Sequence, residues 1–96
     1  MKFEVFGKVG CPKCESTKDK LTHFVSKAEV PAEVTFFDVA TVEGRAEGAF
    51  NDVRAVPTTI VRSDTGAALA RWEGHVPPSL EIQAFLGAAK GSPAPA

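Results

Sequence analysis

The stretch Lys8-Val9-Gly10-Cys11-Pro12-Lys13-Cys14 holds both cysteines of the 96-residue chain, two residues apart. It follows the alternating run Lys2-Phe3-Glu4-Val5-Phe6, which reads as a first strand ended by Gly7 and a turn at Gly10. It precedes a helical pattern. Leu21, Phe24, Val25 and Ala28 recur at helical spacing, Lys13, Glu15, Lys18, Asp19, Lys20 and Lys27 form the polar side, and Val30-Pro31 stops the helix. Cys11 therefore falls at the N-cap and Pro12 at the first helical position, where its missing N–H would have gone unpaired anyway. A sulfur placed there meets unpaired N–H groups and the positive end of the helix dipole, both of which favour thiolate over thiol.

Working outward, Val34-Thr35-Phe36-Phe37-Asp38-Val39 reads as a second strand, parallel to the first because a crossover helix separates them. A weaker helix is expected over Val42 to Val53 with Thr41 as its cap, although Gly44 and Gly48 each cost it about 1 kcal/mol relative to alanine. Ala55 to Val61 is the third strand, Ser63-Asp64-Thr65-Gly66 a turn, and Ala68 to Trp72 the fourth strand of an antiparallel hairpin. Gly74 bends the chain, and the last helix begins near Pro77-Pro78-Ser79 with Ile82, Phe85, Leu86 and Ala89 on one face. The expected architecture is α/β: one domain over residues 1–90, ordered βαβαββα, with a four-stranded mixed sheet and helices on both faces. Residues 91–96, Gly-Ser-Pro-Ala-Pro-Ala, have nothing to bury and are expected to be a disordered tail.

A net charge of −1 with acids and bases interspersed argues against nucleic acid or a membrane surface as the main partner. No apolar run approaches the roughly 20 residues of a membrane span, and the short N-terminal stretch carries Glu4, so no signal peptide is read. The expectation is a soluble, cytoplasmic monomer. In that compartment two close cysteines are catalytic, redox-sensing or metal-binding more often than a structural staple. A closed tetrahedral metal site needs four ligands, and the separation of His23 and His75 fits no compact knuckle, so no intramolecular metal site is expected. A metal shared by two chains through four cysteines stays open. His23 falls on the polar side of the first helix, His75 in a turn and Asp38 at a strand end, and no spacing gives them a role.

Three landmarks, Lys8-x-x-Cys11-Pro12-x-Cys14, Val56-Pro57-Thr58 and Trp72-x-Gly74, occur in an order that resembles the glutaredoxin branch of the thioredoxin superfamily, over the whole chain apart from the tail. The resemblance implies a minimal thioredoxin fold and a dithiol-disulfide oxidoreductase acting on protein disulfides. Cys11 would attack to form a mixed disulfide and Cys14 would resolve it. Lys8 and Lys13 lie close enough in sequence to lower the Cys11 pKa, and Lys8 matches the lysine that contacts the glutathione carboxylate in glutaredoxins. The resemblance further implies a cis Val56-Pro57 bond, with the Val56 backbone facing the dithiol and pairing with an extended substrate. Val56, Thr58, Trp72 and Gly74 are the expected substrate side.

The segment Trp72-x-Gly74-x-x-Pro77 looks like that of NrdH-redoxins, which thioredoxin reductase reduces, whereas glutaredoxins usually carry Gly-Gly and an acidic pair where this chain has Gly74-His75-Val76. The resemblance therefore implies a thioredoxin-reductase-type flavoenzyme as electron donor ahead of glutathione, with no metal or organic cofactor. Thioredoxins proper carry a buried aspartate where Val5 stands; Glu4, one residue away, belongs to the other sheet face. Two other readings remain: a metal-carrying or dimerising module held by Cys11 and Cys14, and a non-catalytic adaptor that binds partners through Val56-Pro57.

Overall fold

The computed structural model describes residues 1–91. Seven elements follow in the order β1 (Lys2–Gly7), α1 (Pro12–Lys27), β2 (Glu33–Asp38), α2 (Val42–Phe50), β3 (Thr58–Arg62), β4 (Ala68–Glu73) and α3 (Ser79–Gly91). They build one mixed sheet of strand order β2-β1-β3-β4. β1 is parallel to β2 and antiparallel to β3, and β3 and β4 form an antiparallel hairpin.

Alternation along β1 sets the two layers. Phe3 stands beside Val34 and Val61, and Val5 beside Phe36 and Thr59, all on one face. Leu21 of α1 and Ile82 and Leu86 of α3 close that face over Phe3, Val5, Val61 and Trp72. Each such side chain, fully buried, contributes about 1.5–3 kcal/mol.

The other face carries Glu4 and Phe6 with their partners Ile60 and Thr58, and then Arg71 and Glu73. Two arginines fasten the end of α2 to it. Arg62 Nε donates to Glu4 Oε1 at 2.7 Å and its Nη2 donates to Asn51 Oδ1, while Arg71 donates to the carbonyls of Asn51 and Asp52 at 2.7 and 2.8 Å. Glu4 is thus engaged on the face away from α1, as its register requires.

Strand ends depart from the sequence reading by single residues, β2 for instance running over Glu33–Asp38 rather than Val34–Val39, and four other boundaries depart for identifiable reasons. α1 stops at Lys27 rather than at Val30, because Ala28 leaves helical geometry as C-cap and the chain peels back so that Ala28, Val30 and Ala32 pack on the core. α2 stops at Phe50 rather than Val53: Asp52 takes φ 57°, and the Val53 N–H closes on the Gly48 carbonyl at 2.8 Å. β3 begins at Thr58 rather than Ala55, since the Thr58 hydroxyl bonds the Ala55 carbonyl at 2.6 Å and residues 55–57 form a turn instead of a ladder. α3 runs through Gly91, which the sequence reading placed in the tail, and residues 92–96 of that tail lie outside the described residues.

Gly44 fills a different role from the one its helix propensity gives it. A β-carbon there would stand 1.7 Å from the Asp38 carbonyl oxygen, so the first turn of α2 sits directly on the end of β2. Thr41 caps that turn, accepting from the Gly44 N–H at 3.0 Å and donating to the Asp38 carbonyl at 2.7 Å.

Candidate active site

Gly10 adopts φ 86°, a conformation open to glycine, and turns the chain from β1 into Cys11. Cys11 is the N-cap of α1 in extended geometry, with Pro12 in the first turn. Its Sγ accepts the Cys14 N–H at 3.3 Å, in the manner of a capping oxygen. Cys11 is half-buried, Cys14 is fully buried, and both thiols are free.

Their environments push the two thiols apart. The Cys14 thiol, then the Cys14 N–H and the Lys13 N–H, hold the Cys11 pKa below that of an ordinary cysteine, against burial and the negative charge of Glu15. Burial pushes Cys14 up, with the Cys11 thiol and Glu15 acting the same way, and the peptide N–H of Lys8 opposes them. Lys8 and Lys13 are exposed, and they reach the sulfurs through their backbone N–H groups rather than through their ammonium charges.

Gly7 makes this arrangement possible. A β-carbon at Gly7 would lie 2.8 Å from both Cβ and Sγ of Cys14 and 3.2 Å from the Phe36 ring, so the strand leaves the thiol its space. In the sequence alone Gly7 reads only as the end of a strand. A glycine directly ahead of a Cys-x-x-Cys helix on the inward-facing register was the available signal.

The fold brings the three landmarks to one end of the sheet. Phe6 pairs with Thr58 on the last rung between β1 and β3, so Pro57 follows opposite Gly7. The Val56–Pro57 bond is cis, and the Gly74 N–H donates to the Pro57 carbonyl at 2.8 Å. Val56 and Gly74 are half-buried at this end, whereas Thr58 and Trp72 turn inward. Trp72 Nε1 donates to Glu81 Oε1 at 2.7 Å and its ring meets Phe85 edge-on at 5.9 Å, which makes it a core strut between β4 and α3.

Of the exposed large apolar side chains among the described residues, three follow strands that end here, while Phe50 and Leu69 lie elsewhere. Val9 precedes Cys11, Val42 opens α2 after the C-terminal end of β2, and Leu80 lies in the first turn of α3 after the C-terminal end of β4. They are 78, 74 and 80 % exposed. His75 contacts the Glu73 carbonyl through Nδ1 at 3.1 Å, His23 packs against Phe24, and Asp38 accepts the Ala40 N–H. Among the described residues no three His, Cys, Asp or Glu side chains come together as a metal would need, and no helix is long and apolar enough to cross a membrane.

This topology, with a dithiol where β1 enters α1, defines a thioredoxin-fold protein. No family model and no curated protein matches the chain. Solved structures do. Thioredoxin 1 from the thermophilic eubacterium Thermosipho africanus TCF52B is 22 % identical with a TM-score of 0.72, the alignment covering 98 % of this chain and 100 % of that one. Thioredoxin-2 of the malaria parasite, described as a component of its protein secretion machinery, is 21 % identical over 90 % of this chain and 80 % of that one, with a TM-score of 0.69. A thioredoxin-fold protein from Helicobacter pylori is 17 % identical over 94 and 69 %, with a TM-score of 0.68. At these identities the likeness is one of fold.

Proposed function

We propose that this protein is a thiol-disulfide oxidoreductase that reduces protein disulfides, with Cys11 as nucleophile and Cys14 as resolving thiol. The observation that carries the reading is the Cys14 N–H donating to Cys11 Sγ at 3.3 Å, with Cys11 partly open to solvent and Cys14 buried behind it. One sulfur is favoured as an accessible thiolate while the other is kept protonated until needed, which is the division of labour that a mixed-disulfide mechanism requires.

Cys11 attacks a substrate disulfide, one substrate sulfur leaves as thiolate, and Cys14 then displaces the second by forming the Cys11–Cys14 bond. The half-buried Val56 backbone, ahead of Pro57 at this end of the sheet, offers an extended substrate segment an edge to pair with. Val9, Val42 and Leu80 add exposed apolar side chains at this end of the sheet. They favour a thioredoxin-reductase-type flavoenzyme over glutathione, a small anionic tripeptide, as the source of electrons. A dithiol kept reduced in this way belongs in a reducing, cytoplasmic compartment.

Insulin reduction by the pure protein tests the reading, with NADPH and thioredoxin reductase in one reaction and NADPH, glutathione and glutathione reductase in another. Turnover with the first and little with the second is expected. Turnover with neither overturns the reading, and turnover with glutathione alone reverses the donor.

A further inference from the structure

The redox reading leaves one step without a protein group assigned to it, because Cys14 must lose its proton inside the fold. The groups that act on it come from its own helix and from the turn ahead of it. From α1 come Cys11 and Glu15, both of which oppose its ionisation, and ahead of α1 comes Lys8 through its peptide N–H. The neighbouring elements β2 and α3 carry Asp38, whose Oδ1 is engaged by the Ala40 N–H at 2.9 Å, and Glu81, engaged by Trp72 Nε1 at 2.7 Å. Neither of these two carboxylates is among the groups acting on Cys14.

The sheet face beneath the thiol carries an uncommitted hydroxyl. Thr59 is fully buried, and among the described residues its Oγ1 is the buried side-chain polar atom that has no hydrogen-bond partner. Thr17 and Thr58 are buried as deeply, and their hydroxyls donate to the carbonyls of Lys13 and Ala55 at 2.8 and 2.6 Å. Thr59 faces Val5 across the ladder, and Gly7, two residues further along β1 on the same face, is the residue in contact with Cys14 Sγ. The hydroxyl therefore lies one strand repeat, about 7 Å, from the rung beneath the thiol. An unpaired buried hydroxyl weakens a fold, and valine would fill the same shape without it.

Resting on the thiol-disulfide reading, we propose that Thr59 is a positioning residue for the resolving step, its hydroxyl donating to Cys14 Sγ through one water molecule as that sulfur gives up its proton. In this step the Cys14 thiolate attacks Cys11 Sγ, the Cys11–Cys14 bond forms and the bond from Cys11 to the substrate sulfur breaks. The electron pair of the broken bond leaves on the substrate sulfur, which takes up the proton that Cys14 has lost. The protein dithiol is oxidised, the substrate disulfide is reduced, and Thr59 is unchanged.

Stopped-flow reaction of the reduced protein with a chromogenic aryl disulfide separates the two events. Cys11 attack releases the first aryl thiolate and Cys14 resolution the second. Thr59→Val is expected to slow the second phase relative to the first by roughly tenfold at neutral pH, to move its pH dependence upward, and to be at least as stable as the wild type in urea. Thr59→Ser is expected to restore both rate and pH dependence. A second phase in Thr59→Val with wild-type rate and pH profile overturns the proposal, as does a slowing that Thr59→Ser leaves in place. If Thr59→Val fails to fold, Thr59→Ala makes the same comparison against Thr59→Ser. Failure of the underlying redox reading looks different: the wild type itself would then lack a second phase that Cys14→Ser abolishes.

Discussion

Gly7 and Cys14 are in direct contact, with room for no atom between them: a β-carbon on Gly7 would stand 2.8 Å from Sγ. Gly7→Ala must displace the resolving thiol or the helix that carries it. Overpacking of this kind costs about 1–3 kcal/mol, more than the roughly 0.4–1 kcal/mol gained by stiffening the unfolded chain. A lower melting temperature of the reduced protein and faster alkylation of Cys14 are expected. An unchanged melting temperature would contradict the contact.

The opposed shifts of the two thiols give a pH prediction whose sign follows from the reactive form being the thiolate. Cys11, lowered first by the Cys14 thiol and then by the Cys14 N–H, reacts with iodoacetamide at pH values where an ordinary cysteine is still protonated. Cys14, raised by burial, reacts only above the ordinary range. In Cys14→Ala the side-chain donor is lost while the peptide donors at positions 13 and 14 remain. The Cys11 pKa should rise in that variant and still stay below the ordinary value, as read from ultraviolet thiolate absorbance.

The two glycines of α2 should respond to alanine with opposite signs. At Gly48 the nearest atoms to an added β-carbon, on Val39 and Val53, lie at an ordinary 3.8 Å, so Gly48→Ala should gain up to about 1 kcal/mol of helix propensity. At Gly44 the 1.7 Å approach to the Asp38 carbonyl forces backbone movement, and Gly44→Ala should lose about 2 kcal/mol or more despite the same propensity gain. Urea denaturation of the pair checks both. Equal effects would mean that α2 does not sit on β2 as described.

Arg71 holds the end of α2 with a forked guanidinium, one arm on each of the Asn51 and Asp52 carbonyls. Arg71→Lys keeps the charge but lacks the fork, so it should recover little of the roughly 1–2 kcal/mol lost in Arg71→Met. Full recovery by lysine would reduce the interaction to simple charge.

Much of this architecture was legible because local residues encode it. Alternation in β1, the cysteine and proline at the start of α1, and the Ser63 to Gly66 turn each announce their own element, and the structure has them in place. What escaped depends on neighbours distant in sequence. Gly7 reads as a strand end until α1 folds back over it and Cys14 occupies the space of its missing side chain. Trp72 reads as a strand-end residue on the substrate side until Ile82, Phe85 and Glu81 of α3 close over it. Lys8 and Lys13 read as cations, but their peptide N–H groups, which every residue except proline carries, act on the sulfurs. Thr59 could not be told from any strand threonine before the register with Val5 was known.

The account stands on Cys11 attacking and Cys14 resolving, and trapping tests it most directly. Cys14→Ser incubated with insulin, quenched in acid and examined by non-reducing electrophoresis and mass spectrometry should hold a stable mixed disulfide on Cys11. The wild type should show it only in passing, and Cys11→Ser should not form it. A Cys14→Ser protein that captures no disulfide, or a Cys11→Ser protein that captures it equally well, would contradict the assignment.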